Sequence, residues 1–240
     1  MDIREIISHF QIDDTVKEYA AFGSGHINDT IRVKFEGDSP DVVLQRINVS
    51  IFPDPYGLME NAVGVTDYLR KKLKAEGRDW ERGTLTFVPL KEGGWVLDDG
   101  EGGFWRMSLL VPHTMSYDLA ENAEMFRSSG EAFGQFMADL SDYPADTLHE
   151  VIPDFHNTVK RFATFRRSLA ADVKGRAASC QKEIQFVLDH EALAHAIVDR
   201  MEDGSLPVRV THNDTKINNI LMDETTGESV CIVDLDTVSQ

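Results

Sequence analysis

The sequence is short of basic residues, of cysteine and of long apolar runs. Lysine and arginine total 24 against 41 aspartates and glutamates, a formal net charge of −17 over 240 residues. A nucleic-acid partner needs a basic surface to displace counterions from the phosphate backbone, so this balance argues against one. It leaves ATP open, since a nucleotide site needs only local positive charge and a metal. The two cysteines, Cys180 and Cys231, lie far apart with no ligand motif around either. They read as two buried thiols in a reducing compartment rather than as a disulfide. No apolar run approaches the roughly 18–20 residues that cross a bilayer. The start, Met1-Asp2-Ile3-Arg4-Glu5, has neither the basic nor the apolar stretch of a secretory signal. These absences predict a cytoplasmic protein with no membrane partner.

What is present is an ordinary globular composition, 42% hydrophobic and 27% charged, in a chain long enough for one large domain or two lobes. Ile3, Ile6, Ile7 and Phe10 have helical spacing. A turn-rich loop, Gly23-Ser24-Gly25-His26-Ile27-Asn28, precedes the alternating strand 31–35, and 42–47 reads as the returning strand. Leu58, Ala62, Val65, Leu69 and Leu73 predict a helix to about Gly77, followed by short strands at 85–89 and 95–97 and a longer one at 104–111. Beyond Pro112 the pattern turns helical: one helix through Phe126 and Leu140, another through Val159 and Leu169, and one or two more from Ile184 to Met201. Short strands are expected at 208–210, 220–222 and 230–233, with the last two joined by a turn at 223–228. The expected fold class is α+β. A β-rich lobe of residues 1–111 is followed by a mainly helical lobe of residues 112–240.

The densest chemical signal is Thr211-His212-Asn213-Asp214-Thr215-Lys216-Ile217-Asn218-Asn219, followed by Val233-Asp234-Leu235-Asp236 on the next hairpin. His-x-Asp, then Asn five residues after the Asp, then a further Asp, is the layout of the catalytic loop and metal aspartate in protein-kinase-like enzymes. Phosphoryl transfer needs a carboxylate beside the attacking hydroxyl and oxygen ligands for Mg²⁺ on the ATP phosphates. Asp214 suits the base, Asn219 and Asp234 suit the metal, and Lys216 is placed to neutralise the transferring phosphoryl group. His212 reads as a brace rather than a reactant. A polar turn holding Asp and Asn by accident would leave the His, the Lys, the hairpin and the second Asp unexplained. A calcium loop fits less well, lacking its central Gly and terminal Glu. Asp236 stays open between capping the next segment and supporting the metal from behind.

The other half of such a site is fainter. Gly23, Ser24 and Gly25 are candidates for a loop over the phosphates, although turns often hold two glycines. On strand 42–47, Gln45 stands where a kinase lysine is expected, with Arg46 beside it as the candidate phosphate cation and Glu60 as a candidate partner. Leu110 to Pro112 is where a hinge would hold adenine.

Together these residues resemble the aminoglycoside phosphotransferase–choline kinase superfamily, and within it the N-acetylhexosamine 1-kinases. The likeness takes in Gly23 to Asn28, Asn48-Val49-Ser50-Ile51-Phe52-Pro53-Asp54, Gly175-Arg176-Ala177-Ala178-Ser179-Cys180, and Thr211 to Thr237. The resemblance implies a protein-kinase-like two-lobed fold. It also implies ATP- and Mg²⁺-dependent phosphorylation of the C1 hydroxyl of N-acetylglucosamine or N-acetylgalactosamine, with His26 reaching the sugar beside Asp214. From the residues alone His26 reads as a solvent-exposed or turn-capping histidine. Other acceptors of the superfamily (choline, an amino alcohol, an aminoglycoside) and an inactive nucleotide-binding remnant are the competing readings. Similar kinases continue past the Asp-x-Asp segment, whereas this chain stops four residues after Asp236. The expectation is therefore a truncated helical lobe with uncovered apolar helix faces and part of the acceptor pocket missing.

Overall fold

The structure is a computed structural model that describes residues 1–23 and 27–240. It divides into two compact units, residues 1–151 with 209–240, and residues 152–208. The boundary expected after residue 111 lies inside the first unit.

In that unit α1 (Ile3–Ser8), N-capped by Asp2, leads into β1 (Val16–Ala21), β2 (Asp29–Phe35) and β3 (Val42–Ile47). After α2 (Pro55–Ala75) come β4 (Leu97–Asp98) and β5 (Phe104–Leu109). These strands form one antiparallel sheet in the order β1-β2-β3-β5-β4. Alternation puts Val33, Val42, Leu44, Trp105 and Met107 on one face, where they pack with Ile6, Ile7 and Phe10 of the opening helix. Gln45 and Arg106, directly opposite each other in register, occupy the other face.

Helix α2 starts at Asp54, whose side chain accepts the Gly57 amide, and buries Leu58, Met59, Ala62, Val65, Leu69 and Leu73 along one stripe. β6 (Thr114–Met115) pairs with β7 (Ile220–Asp223), which pairs with β8 (Ser229–Ile232). Helix α3 (Ala123–Asp139) packs on β8, with Ser128 and Ser229 in hydroxyl contact at 2.8 Å. Asp223 closes the β7–β8 hairpin by accepting the Thr225 and Thr226 amides, both at 2.9 Å.

The second unit holds α4 (Thr158–Ala171), α5 (Gln181–Asp189) and α6 (Glu191–Glu202). None of its residues is fully buried, and Phe186, Leu193 and Ile197 stand more than half exposed. The block Gly175 to Cys180 is the turn between α4 and α5, where Asp172 accepts the Arg176 amide at 2.9 Å.

Two strand expectations differ from the structure, and two of its strands, β1 and β6, have no counterpart in the sequence reading. β1 went unread because only Val16 of its six residues is buried, which leaves no alternation to detect. Residues 85–89 do not form a strand of their own; Phe87 makes a single bridge to Ser108. Residues 208–210 form none either, and pairing begins only at Thr211, which bridges Ser239. Both cysteines are free, as expected. Cys231 is buried, which pushes its thiol up to about 12, and Cys180 is half-buried.

Candidate active site

The candidate catalytic loop is assembled by its own polar side chains. Thr211 and Ser239 exchange backbone hydrogen bonds at 2.9 and 3.2 Å, which ties the loop to the segment after the second aspartate. Asn213 takes the left-handed conformation that asparagine tolerates (φ 65°), and its amide donates to the Thr237 carbonyl at 3.0 Å. The Thr237 hydroxyl returns a bond to the His212 carbonyl at 2.7 Å.

His212 is 1% exposed, with the Phe133 and Phe136 rings edge-on to it. Its Nε2 lies 2.9 Å from the Val233 carbonyl; a carbonyl only accepts, so Nε2 carries the proton. Nδ1 is then left to accept the Asp214 amide at 3.3 Å. Burial lowers the histidine's pKa, so the ring is neutral and spans loop and hairpin as a brace.

Asp214 gathers the reactive groups. Lys216 Nζ donates to its Oδ2 at 2.8 Å. The 3₁₀ turn Ile217–Asn219 folds Asn219 back, so that its Nδ2 donates to the Asp214 carbonyl at 2.9 Å and to Oδ2 at 3.0 Å. Burial alone pushes the Asp214 carboxyl up, but the bonds from Lys216 and Asn219 outweigh it and hold the group below its usual range. Asp214 is therefore ionised at neutral pH.

Asp234 follows β8 in the left-handed region (φ 59°) and is carried to the loop by the Val233 amide, which donates to the Asn219 carbonyl at 2.9 Å. Among the described residues its carboxylate makes no hydrogen bond and no ion pair. Burial, and then the neighbouring Asp236, push its pKa upward. A half-buried carboxylate without a direct ion-pair partner suits a metal ligand. The adjoining Asn219 has its amide nitrogen engaged and its amide oxygen unused among the described residues. Among the described residues no group of three or more His, Cys, Asp or Glu side chains is arranged to hold a metal ion by itself. The donor set is thus one carboxylate and one amide oxygen, which fits Mg²⁺ completed by phosphates and water better than a cation caged entirely by protein.

Asp236, open in the sequence, is 2% exposed and held at both oxygens: Arg106 pairs with Oδ1, and Asn28 Nδ2 donates to Oδ2 at 2.7 Å. Removing one partner of so buried a pair costs about 3–5 kcal/mol. On the other side of the turn, Asn61 of α2 donates to the Val238 carbonyl at 3.1 Å and to the His149 carbonyl at 2.8 Å. Sequence reading missed Arg106, Asn28 and Asn61. The only signal was polarity where burial was due, as with Arg106 in strand 104–111 and Asn61 inside a helix.

The remaining candidates are placed as follows. Gly23 has φ 80°, while Ser24, Gly25 and His26 lie outside the described residues. Arg46 is exposed and lies 5.9 Å over the Trp105 ring, on the face of β3 opposite Gln45 and Arg106. The structure does not bring it to the catalytic loop, because one step along a strand reverses the face. Glu60 pairs with His149 at 2.6 Å rather than with a cation of β3. The block Asn48 to Asp54 acquires a role. Asn28 Oδ1 accepts the Asn48 amide at 3.0 Å, Phe52 is buried, and Asp54 caps α2.

Among solved structures the chain is similar to an aminoglycoside phosphotransferase from Alicyclobacillus acidocaldarius, with a TM-score of 0.62 at 10% identity over 100% of this chain and 67% of that one. It is also similar to spectinomycin phosphotransferase in complex with ADP and spectinomycin, with a TM-score of 0.50 at 14% identity over 99% of this chain and 68% of that one. The AMP-bound form of that enzyme gives 0.51 at 12% identity, over 99% and 69%. The chain spans about two thirds of these proteins' length, and at such identities the likeness establishes the fold, the two-lobed protein-kinase-like α+β fold. The sequence pattern of the phosphotransferase enzyme family matches residues 18–239. With nearly the whole length matched, this chain belongs to the phosphotransferase enzyme family.

Proposed function

We propose that this protein phosphorylates the anomeric C1 hydroxyl of an N-acetylhexosamine, N-acetylglucosamine or N-acetylgalactosamine, with ATP and Mg²⁺. The observation that carries the phosphotransferase half is the ionised Asp214, bonded to Lys216 and Asn219 and adjoining Asp234, which has no direct ion-pair partner among the described residues. The sugar half is supported by the blocks Asn48–Asp54 and Gly175–Cys180, which resemble those of N-acetylhexosamine 1-kinases. Use of a nucleotide is supported by the ADP and AMP complexes of spectinomycin phosphotransferase. In this reading residues 1–111 cover the nucleotide, and residues 112–240 supply the catalytic loop.

Asp214 accepts a hydrogen bond from the C1 hydroxyl and fixes its oxygen for attack. As the new O–P bond forms and ADP leaves, the proton passes to Asp214, a contribution of roughly 10²–10⁴ in rate. Lys216, half-exposed and bonded only to Asp214 among the described residues, is free to turn its charge toward the transferring phosphoryl group. Asn219 and Asp234 would hold Mg²⁺, which neutralises charge on the phosphates. Gly23, Ser24 and Gly25 stay assigned to the nucleotide and His26 to the sugar, while Arg46, on the opposite face of the sheet, leaves the nucleotide role.

The test is an ATP-consumption panel of N-acetylhexosamines, hexoses, choline and aminoglycosides, with ³¹P NMR of the product. A phosphate on C1 of an N-acetylhexosamine is expected. Turnover confined to choline, to another amino alcohol or to an aminoglycoside would replace the sugar reading while leaving the phosphotransferase site intact. Nucleotide binding with no turnover on any acceptor would favour the inactive remnant.

A further inference from the structure

We propose that Arg106 is a positioning residue for the metal site, fixing through Asp236 the turn that presents Asp234. The inference rests on the assignment of Asp234 to the metal. It goes beyond that assignment by giving the cation of the sheet a task other than holding phosphate.

Four observations carry it. Asp234 has no hydrogen bond of its own among the described residues, so its direction is set by its backbone, which sits at φ 59° and must be held there from outside. The 3₁₀ turn Leu235–Thr237 that follows it is tied to the sheet through the buried Asp236 carboxylate, while Asn213 and His212 bind only its far end at Thr237. Both oxygens of that carboxylate accept a hydrogen bond, one from Arg106 and one from Asn28, so its orientation is fixed. Arg106 is itself aimed: its Nε donates to Gln45 Oε1 at 3.0 Å, and Gln45 Nε2 donates to Thr30 Oγ1 at 3.1 Å, a relay across β5, β3 and β2. Asn61 holds the exit of the same turn through the Val238 carbonyl, so the metal segment is fixed to the sheet at one end and to α2 at the other. Gln45 stands where a lysine is expected; the cation is one strand over, and it points at the metal turn.

The test is Mn²⁺ binding in the presence of ADP, read from the electron paramagnetic resonance of free Mn²⁺, with no acceptor and no turnover required. Side chains that orient a metal ligand typically change metal affinity about 10–100-fold. Arg106→Met is expected to weaken Mn²⁺ at least about 10-fold. Arg106→Lys keeps the charge on Asp236 but cannot also hold Gln45 in the same fork, and it is expected to fall between Met and wild type. If Arg106→Met does not fold, the Arg106→Gln/Asp236→Asn pair, which leaves no buried charge, carries the same expectation of weakened Mn²⁺. A folded Arg106→Met or paired variant that binds Mn²⁺ like the wild type overturns the proposal, as long as Asp234→Asn has lost binding. If Asp234→Asn itself binds like the wild type, the metal assignment fails, and the positioning role fails with it.

Discussion

Asp234→Asn is expected to make the metal-free protein more stable while abolishing its metal-dependent function. The wild-type carboxylate is half-buried, makes no ion pair among the described residues, and lies two residues from the Asp236 carboxylate. Asparagine is nearly isosteric and tolerates the left-handed backbone at this position, so the substitution removes the charge without straining the turn. One pKa unit corresponds to about 1.4 kcal/mol. Discounted for partial solvent access, relief of the charge is worth about 1–2 kcal/mol. For a chain of this size that raises Tm by about 2–8 °C.

The sign with pH follows from the raised folded-state pKa. Below the ordinary carboxylate range Asp234 is protonated both folded and unfolded, and the variant has no advantage. Above the raised value the advantage is complete. Scanning fluorimetry in EDTA across pH 3–8 reads this directly. Adding Mg²⁺ and ADP reverses the ranking, because ligand at about 100 times Kd stabilises only the wild type, by about 2.7 kcal/mol. A variant that melts below the wild type in EDTA at neutral pH would refute the claim that Asp234 is an uncompensated charge awaiting a cation.

Asp214→Asn should lower kcat by about 10²–10⁴ while leaving ADP binding by calorimetry near wild type, since the group acts on the acceptor. Intact turnover would remove Asp214 from the base role. Asn61→Leu strips hydrogen bonds from the His149 amide and carbonyl and the Val238 carbonyl, and a loss of about 2–4 kcal/mol in urea unfolding is expected. Asp139 is pushed up by burial but held below the usual range by Arg78 and Gln135, at 2.9 and 2.8 Å. Its stabilisation is complete above the ordinary carboxylate range and is lost as pH falls through the lowered folded value. Asp139→Asn should therefore cost about 1–2 kcal/mol at neutral pH and progressively less in acid, where a pH-independent difference would contradict the assignment.

The catalytic loop could be read from the chain because its geometry is local. His212, Asp214, Lys216 and Asn219 lie within one turn-forming segment, so spacing alone fixes which groups can meet. The same holds for α2 and α3, where apolar periodicity over many residues outweighs any single position. The fold class followed from the change of pattern near Pro112. β1 was hidden because an edge strand with one buried residue carries almost no periodic signal.

Contacts between distant segments were decided only by the tertiary structure. Whether Arg46 or Arg106 faces the metal turn depends on the pairing of β3 with β5 and on strand parity, and neither is encoded in the immediate neighbours of either arginine. Asp236 had two readings until Arg106, 130 residues earlier, and Asn28, 208 residues earlier, were seen to close on its two oxygens. The sequence by itself determined a chain of the phosphotransferase enzyme family and the short segment in which Asp214, Lys216 and Asn219 meet. The packed sheet and helix decided what holds that segment in place, because a buried ion pair is formed only when folding brings its partners out of water together.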